Sequence, residues 1–307
     1  MRRLLRQIWQ PLPVVCAVVC VLAVIIRLTV KDRILVASTL YYATPPAVIG
    51  ALALLAGTIW CRRGRRGLGW SLIVAAVPCF VWHGVTNWRQ AENAATPGPL
   101  RIVVWNTSHG SFGLDGLAAD LRALDADVIA IVEAGWEIIS AWKEAFPDYA
   151  VSRPGGEMLL LCRGKIEDER HKSIGFGSLY KTAKVEIGGA SIRVFLVDLW
   201  SSPFKDRGAP LRSLADDARA ANDGPVLIVG DFNTPGDSVH FNVLRPEFRN
   251  AFQTAGRGYT STWPQPVPVI QIDHAWVNDP IDITSCYHGW SWHSDHRPVV
   301  LEISVRE

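Results

Sequence analysis

Apolar positions along this chain obey one rule up to about residue 89 and another beyond residue 100. In the first part they run on with few interruptions, as LPVVCAVVCVLAVIIRLTV (12–30), ILVASTLYYATPPAVIGALALLAGTIW (34–60) and GLGWSLIVAAVPCFVWHGV (67–85). Each run predicts a helix long enough to span a hydrocarbon core of about 30 Å. In the second part the runs are short and rich in Val, Ile and Leu: LRIVVWN (100–106), DVIAIVEAG (127–135), RVFLVDLWSSP (193–203), PVLIVGDFN (225–233), IQIDHAWV (270–277) and HSDHRPVVLEISV (293–305). These read as strands, and helical periodicity at 115–125, 136–146 and 210–221 places helices between them. Strands alternating with helices predict a layered α/β domain over 100–307, large enough at about 210 residues to bury its own core. QAENAATPGP (90–99) is a short polar linker carrying Pro and Gly, which sets off a membrane domain over 1–89.

Charge orients the membrane part. Arg2, Arg3 and Arg6 precede the first span, and Arg62, Arg63, Arg65 and Arg66 fill the connection after the second. The connection after the first holds only Lys31 and Arg33 with Asp32 between them, and Arg27 is placed to snorkel to the interface. The positive-inside rule then puts the amino terminus and the Arg-rich connection in the cytoplasm. Three crossings leave the carboxy-terminal domain outside, so the expectation is a multi-pass protein of the plasma (inner) membrane with an extracytoplasmic domain. The first run has no small-residue cleavage site, which favours an anchor over a signal peptide. Pro45 and Pro46 interrupt the second run, a break that membrane helices tolerate when neighbours satisfy the freed carbonyls.

A net charge of +2 conceals a split: residues 1–96 hold 11 Lys+Arg against 2 Asp+Glu, whereas residues 97–307 hold 20 against 27. An acidic domain is poorly equipped to neutralise the many phosphates of duplex DNA. Of 13 Trp, Trp60, Trp70, Trp82 and Trp88 sit near span ends, while Trp263, Trp290 and Trp292 fall in loops of the second part. Of 6 Cys, only Cys162 and Cys286 lie beyond the membrane part, and their order gives no sign of a disulfide. No Cys/His spacing suggests structural zinc.

The candidate chemistry lies at strand ends. Asn106, Glu133, Asp231 with Asn233, Asp273, and Asp295 with His296 each follow or open an apolar run. Burying an isolated carboxylate is costly, so these groups must neutralise one another or hold a metal and an anion. Strands covered on both faces collect such end groups at one rim.

In these motifs and their order the chain from about Leu100 to Val305 resembles the endonuclease/exonuclease/phosphatase superfamily. The resemblance implies two packed, mostly antiparallel sheets flanked by helices, a four-layer αββα sandwich, here preceded by three transmembrane helices. It implies hydrolysis of a phosphodiester or phosphomonoester by water attack with Mg²⁺, or Mn²⁺ in its place. Glu133 is then the metal ligand with Asn106 and Asp295 close by, Asp231 orients or deprotonates the water, and Asn233 contacts the phosphate. His296, held by Asp273, donates to the phosphoryl group. One departure stands out. Where relatives carry a phosphate-contacting His or Tyr, this chain offers either Asp198 or Trp200. His109, His274, His288 and His293 are candidate substitutes, and Arg212 is a better one, since its fork matches phosphate oxygens. The implied partners are a phosphoester substrate (small molecule, lipid headgroup or nucleic acid) and the lipid bilayer; nothing in the sequence points to a protein partner. The acidic balance favours a small phosphoester or lipid headgroup over long DNA. The alternatives are a nuclease of the same fold and a membrane-tethered binding domain weakened by the Asp198/Trp200 change.

Overall fold

The computed structural model describes residues 10–90, 98–135, 139–153 and 157–306. The chain divides into two units, Met1–Trp88 and Arg89–Glu307. Arg2, Arg3, Arg6 and most of the 90–99 linker lie outside the described residues, as does the start of the helix expected at 136–146.

The first unit holds α1 (Leu12–Leu28), α2 (Leu35–Ala43), α3 (Pro46–Arg62) and α4 (Arg66–Thr86). Three spans were expected, and the structure corrects this. Among the described residues only α4, with 21 residues, is a single helix long and apolar enough to cross a membrane. α2 and α3 meet at 73° and make a second span only if the bent pair is counted as one. α1, with 17 residues, is roughly 26 Å long, short of a hydrocarbon core of about 30 Å. The bend follows from Pro45 and Pro46, which have no N–H to offer the carbonyls one turn back. Arg27 does not snorkel: it is buried and donates to the carbonyls of Tyr41 (2.5 Å) and Thr44 (2.7 Å), at the break. α3 and α4 approach closely because Gly57 and Gly69 face each other; a Cβ on Gly57 would lie 2.7 Å from the Gly69 carbonyl oxygen.

The two large sheets of the second unit hold twelve strands: β1 (Leu100–Asn106), β2 (Val128–Val132), β3 (Ala150–Ser152), β4 (Leu159–Cys162), β5 (Lys165–Gly175), β6 (Ser178–Ile187), β7 (Ala190–Asp198), β8 (Val226–Asp231), β9 (Arg249–Asn250), β10 (Asp273–Val277), β11 (Ile281–His288) and β12 (Val299–Val305). They form two six-stranded sheets, ordered β11-β12-β1-β2-β4-β3 and β9-β10-β8-β7-β6-β5. Each is mixed: β1 and β2 are parallel, as are β7 and β8, and the other pairings are antiparallel.

Alternation decides which side chains meet between the sheets. Ile102, Val104, Val128 and Ala130 from one sheet pack against Val194, Leu196, Leu227 and Val229 from the other. The opposite faces are covered by helices. α5 (Leu114–Leu124) and α6 (Ile139–Ala145) lay Leu117, Leu121 and Trp142 on Val103, Trp105 and Ile129. α7 (Gly208–Ala220) lays Leu211, Leu214 and Ala218 on Phe195 and Ile228. In α5 the apolar spacing 114, 117, 118, 121 makes one stripe, and the helix ends at Asp125 in a left-handed conformation (φ 48°). Two packed sheets with flanking helices agree with the fold expected of 100–307. Cys162 and Cys286 are separate buried thiols.

Register brings the strand ends together. Asn106 pairs with Val132, one residue before Glu133. Asp231 lies between Asp198 on one side and Asp273 on the other.

Candidate active site

Asp231 is the centre of a buried network. Its Oδ2 accepts from Asn106 Nδ2 at 2.9 Å and Asn233 Nδ2 at 3.1 Å, and its Oδ1 accepts from the Asn233 backbone N–H at 2.8 Å. Asn106 is fixed in turn, its Oδ1 accepting from the Ser108 N–H at 2.9 Å. The second amide hydrogen of Asn233 goes to the Leu199 carbonyl at 2.7 Å. Asn233 thus orients Asp231 and has no spare amide hydrogen for a phosphate, which changes the role expected for it. Its backbone is left-handed (φ 45°), a conformation that Asn tolerates better than most residues. Arg207 clamps the same turn from below, donating to the carbonyls of Asn233 (3.2 Å) and Ser202 (3.1 Å).

Beside this network His296 Nδ1 pairs with Asp273 Oδ2 at 2.9 Å, both side chains buried, while its Nε2 lies 4.0 Å from Asp295 Oδ1. Ligating atoms of Asp231, Asp273 and His296 all fall within 4.8 Å of one another. The SDHRP segment is pinned to β1: Ser294 Oγ donates to the Asn106 carbonyl at 2.7 Å, and Trp105 Nε1 to the His296 carbonyl at 2.9 Å. Arg297 is consumed structurally, its guanidinium donating to the carbonyls of Gly289, Tyr259, Ser261 and His288.

Burial alone would lower the proton affinity of His296. Asp273, by charge and hydrogen bond, then Asp231 and Asp295 outweigh it and lift the pKa to about 10. Asp231 is pushed well above the carboxylate range by burial and by Asp273, against the opposing pull of His296. Asp198 is pushed up to about 7 by burial and by Glu133, with His109 opposing and Glu157 adding to the rise.

Asp198 thus feels the charge of Glu133, whereas Trp200 is half-exposed with its ring against Gly177 and its backbone N–H donating to Ser178 Oγ. The pair left open by the sequence separates: Asp198 is the residue at the strand end and Trp200 belongs to the rim. Glu133, itself left-handed (φ 51°), is joined through His109 to a carboxylate that the sequence reading missed. His109 Nε2 lies 3.3 Å from Glu133, and its Nδ1 lies 2.7 Å from Glu157. Glu157 comes close because its carbonyl takes the Ala134 N–H at 2.7 Å as β4 returns beside β2. That return is a tertiary pairing without a local sequence signal.

Arg212 is exposed on α7, where its charge acts on Asp206, while Arg207 is the arginine that bonds to the turn after Asp231. Three of the candidate histidines are held elsewhere. His274 is buried on Phe241 with Nε2 on the Thr234 carbonyl, burial pushing it down to about 4. His288 stacks on Phe252, pushed down to about 3 by burial and Arg297. His293 pairs with Asp120 at 2.8 Å.

The donor set suits a hard divalent cation. Glu133 and Glu157 share the single imidazole of His109, and Asp295 keeps one buried oxygen, Oδ1, without a hydrogen-bond partner while Trp263 Nε1 holds the other at 3.1 Å. All-oxygen donors are the chemistry of Mg²⁺ and Mn²⁺ sites.

Residues 103–296 match the Endonuclease/Exonuclease/phosphatase family. Among solved structures, a family protein from Bacteroides thetaiotaomicron is 16% identical, with a TM-score of 0.56 over 68% of this chain and 98% of its own. A mannosyl-6-phosphatase from Bacteroides thetaiotaomicron VPI-5482 is 16% identical, with a TM-score of 0.56 over 67% of this chain and 99% of its own. Truncated TDP2 from Caenorhabditis elegans is 16% identical, with a TM-score of 0.55 over 66% of this chain and 97% of its own. No curated protein sequence matches the chain.

Proposed function

The chain belongs to the endonuclease/exonuclease/phosphatase family, and on that premise we propose that it is a membrane-anchored, divalent-metal-dependent phosphoesterase that cleaves a phosphodiester or phosphomonoester by water attack. The observation that carries this reading is the buried Asp231–Asn106–Asn233 network beside the His296–Asp273 pair. Asp231, oriented by two amides and raised in proton affinity, is suited to take a proton from the attacking water. His296 keeps its proton through neutral pH, and with Nδ1 on Asp273 its Nε2 is the nitrogen left to donate to the phosphoryl oxygens as charge develops there. Glu133, Asn106 and Asp295 would hold Mg²⁺ or Mn²⁺, which when bound supplies positive charge beside the phosphoryl oxygens.

A substrate panel of phosphomonoesters, phosphodiesters, phospholipids and DNA, run with Mg²⁺ and with EDTA, tests the proposal. Glu133→Gln keeps the shape of the side chain but removes its charge, so activity and metal affinity are expected to fall together, by more than the roughly 10–100-fold that groups behind the metal ligands contribute. Full activity in EDTA, or a fully active Glu133→Gln protein, sinks the metal assignment.

Asp198 stands at the position where the family resemblance implies a His or Tyr. Asp198→His is expected to add a donor toward the phosphoryl group and raise kcat on any phosphoester turned over, whereas Trp200→His leaves kcat unchanged because that side chain points to the rim. A rise with Trp200→His and none with Asp198→His would reverse this assignment.

The membrane part of the proposal rests on α4 and on Arg62, Arg63, Arg65 and Arg66, the basic cluster at its amino-terminal end. With this cluster in the cytoplasm, α4 carries the rest of the chain to the opposite side, whatever the number of crossings before it. A reporter fused after Glu307 is expected to be active only where its readout works outside the cytoplasm. Cytoplasmic activity of the fusion would refute the orientation.

A further inference from the structure

The exposed large apolar side chains of the second unit are unevenly placed. Among the described residues there are eight, and all lie in loops at the end of the sheets that carries Asn106, Asp198, Asp231 and Asp273. Phe112 follows Asn106; Phe176 tops the β5–β6 turn; Trp200 and Phe204 follow Asp198. Trp263 and Val267 precede Asp273, and Trp290 and Trp292 precede Asp295. Phe204 and Trp292 are 69% and 66% exposed, values that the core offers no reason for. Around the β5–β6 turn the groups are in mutual contact: the Trp200 ring packs on Gly177, and the Lys205 ammonium lies 6.0 Å from the Phe176 ring. On the other side Trp290 and Trp292 meet edge to face at 5.8 Å.

Exposed apolar side chains gathered at the end of a domain that carries its polar site point to an interaction surface. Its composition narrows the occupant. Four of the eight are Trp and three are Phe, set singly or in pairs among polar loop residues, the pattern of side chains that settle at a membrane–water interface. The acidic balance of residues 97–307, 20 Lys+Arg against 27 Asp+Glu, opposes a polyanionic strand. The same chain carries the apolar helix α4, which keeps a bilayer within reach.

We propose that this rim docks the catalytic unit on a bilayer surface, so that the phosphoester it cleaves is a lipid headgroup presented at the interface. This rests on the phosphoesterase reading for its chemistry, but the docking itself does not depend on turnover.

The test uses the full chain reconstituted in phosphatidylcholine vesicles, with two readouts. The first is hydroxyl-radical footprinting of Phe112, Phe204 and Trp292, with the protein in a lipid-free amphipathic polymer as reference. Vesicles are expected to protect these side chains. The second is the rate on vesicle phosphatidylcholine against that on a water-soluble aryl phosphodiester. A Phe204→Ser, Trp292→Ser double variant is expected to lose roughly tenfold or more on the lipid and to keep its rate on the soluble ester, because each exposed ring gives up its apolar contact with the interface. Labelling in vesicles equal to the reference overturns the docking, as does equal loss on both substrates or protection by single-stranded DNA in place of vesicles. Hydrolysis of the soluble ester by a protein whose rim is not protected leaves the phosphoesterase reading standing and removes only the docking. Protection without hydrolysis of either ester does the reverse.

Discussion

Asp231→Asn is expected to lower kcat by about 10²–10⁴-fold, the range that a positioned proton acceptor contributes. The substitution changes almost nothing in volume. It removes the carboxylate that accepts from Asn106, from the Asn233 side chain and from the Asn233 backbone. A fold defect could mimic the loss of activity, but the electrostatics work against a loss of stability. In the native protein Asp231 is raised in proton affinity by burial and by repulsion from Asp273 and Asp198, so ionising it works against the fold. The Asn variant loses that repulsion but turns one amide NH₂ toward the donors of Asn106 or Asn233, so the two effects oppose each other and the Tm in metal-free buffer at neutral pH is expected to stay close to the native value. Low activity together with an undiminished Tm supports the assignment. A kcat within tenfold of the native protein, or a Tm well below it, counts against Asp231 as the base.

Asp273→Asn is expected to act on both stability and rate. It leaves His296 buried without its counter-charge, and breaking one side of a buried pair costs about 3–5 kcal/mol. The pH dependence carries a sign. The folded pKa of His296 is raised from 6.5 to about 10, so its contribution to stability is fully present below pH 6.5 and is lost as pH rises toward 10. The native protein should therefore exceed the variant in stability most clearly near pH 6, and the two should converge toward pH 10. Denaturant unfolding at a series of pH values measures this. A gap that stays constant across the range, or widens at alkaline pH, would show that the Asp273–His296 pair does not carry the effect. The rate is expected to fall with the stability difference already removed, because a neutral His296 offers a weaker donor to the phosphoryl oxygens.

Much of the second unit was legible in the chain because its signals are local. Near-continuous Val/Ile/Leu runs specify strands covered on both faces, and the spacing 114, 117, 118, 121 specifies an amphipathic helix. The polar ends of those runs, Asn106, Glu133, Asp231, Asp273 and His296, could be picked out because each breaks an otherwise apolar pattern at a cost that needs a compensating partner. The first unit was read less well. Hydropathy reports the length of an apolar run but not whether its backbone stays straight, and Pro45 with Pro46 turned one expected span into two helices at 73°.

The sequence by itself determined which residues carry charge at strand ends and that they had to be paired, since that follows from residue type and local periodicity. Only the tertiary structure decided the pairings. It set Asp273 on His296, gave both amide hydrogens of Asn233 to Asp231 and Leu199, turned Trp200 to the rim, left Arg212 exposed in favour of Arg207, and drew Glu157 to His109. The physical reason is register. The side chain that faces a neighbour across a sheet is set by hydrogen bonding between strands far apart in the chain; a one-residue shift of β10 against β8 would send Asp273 to the opposite face, and the loops that carry the other groups move with the strands they join.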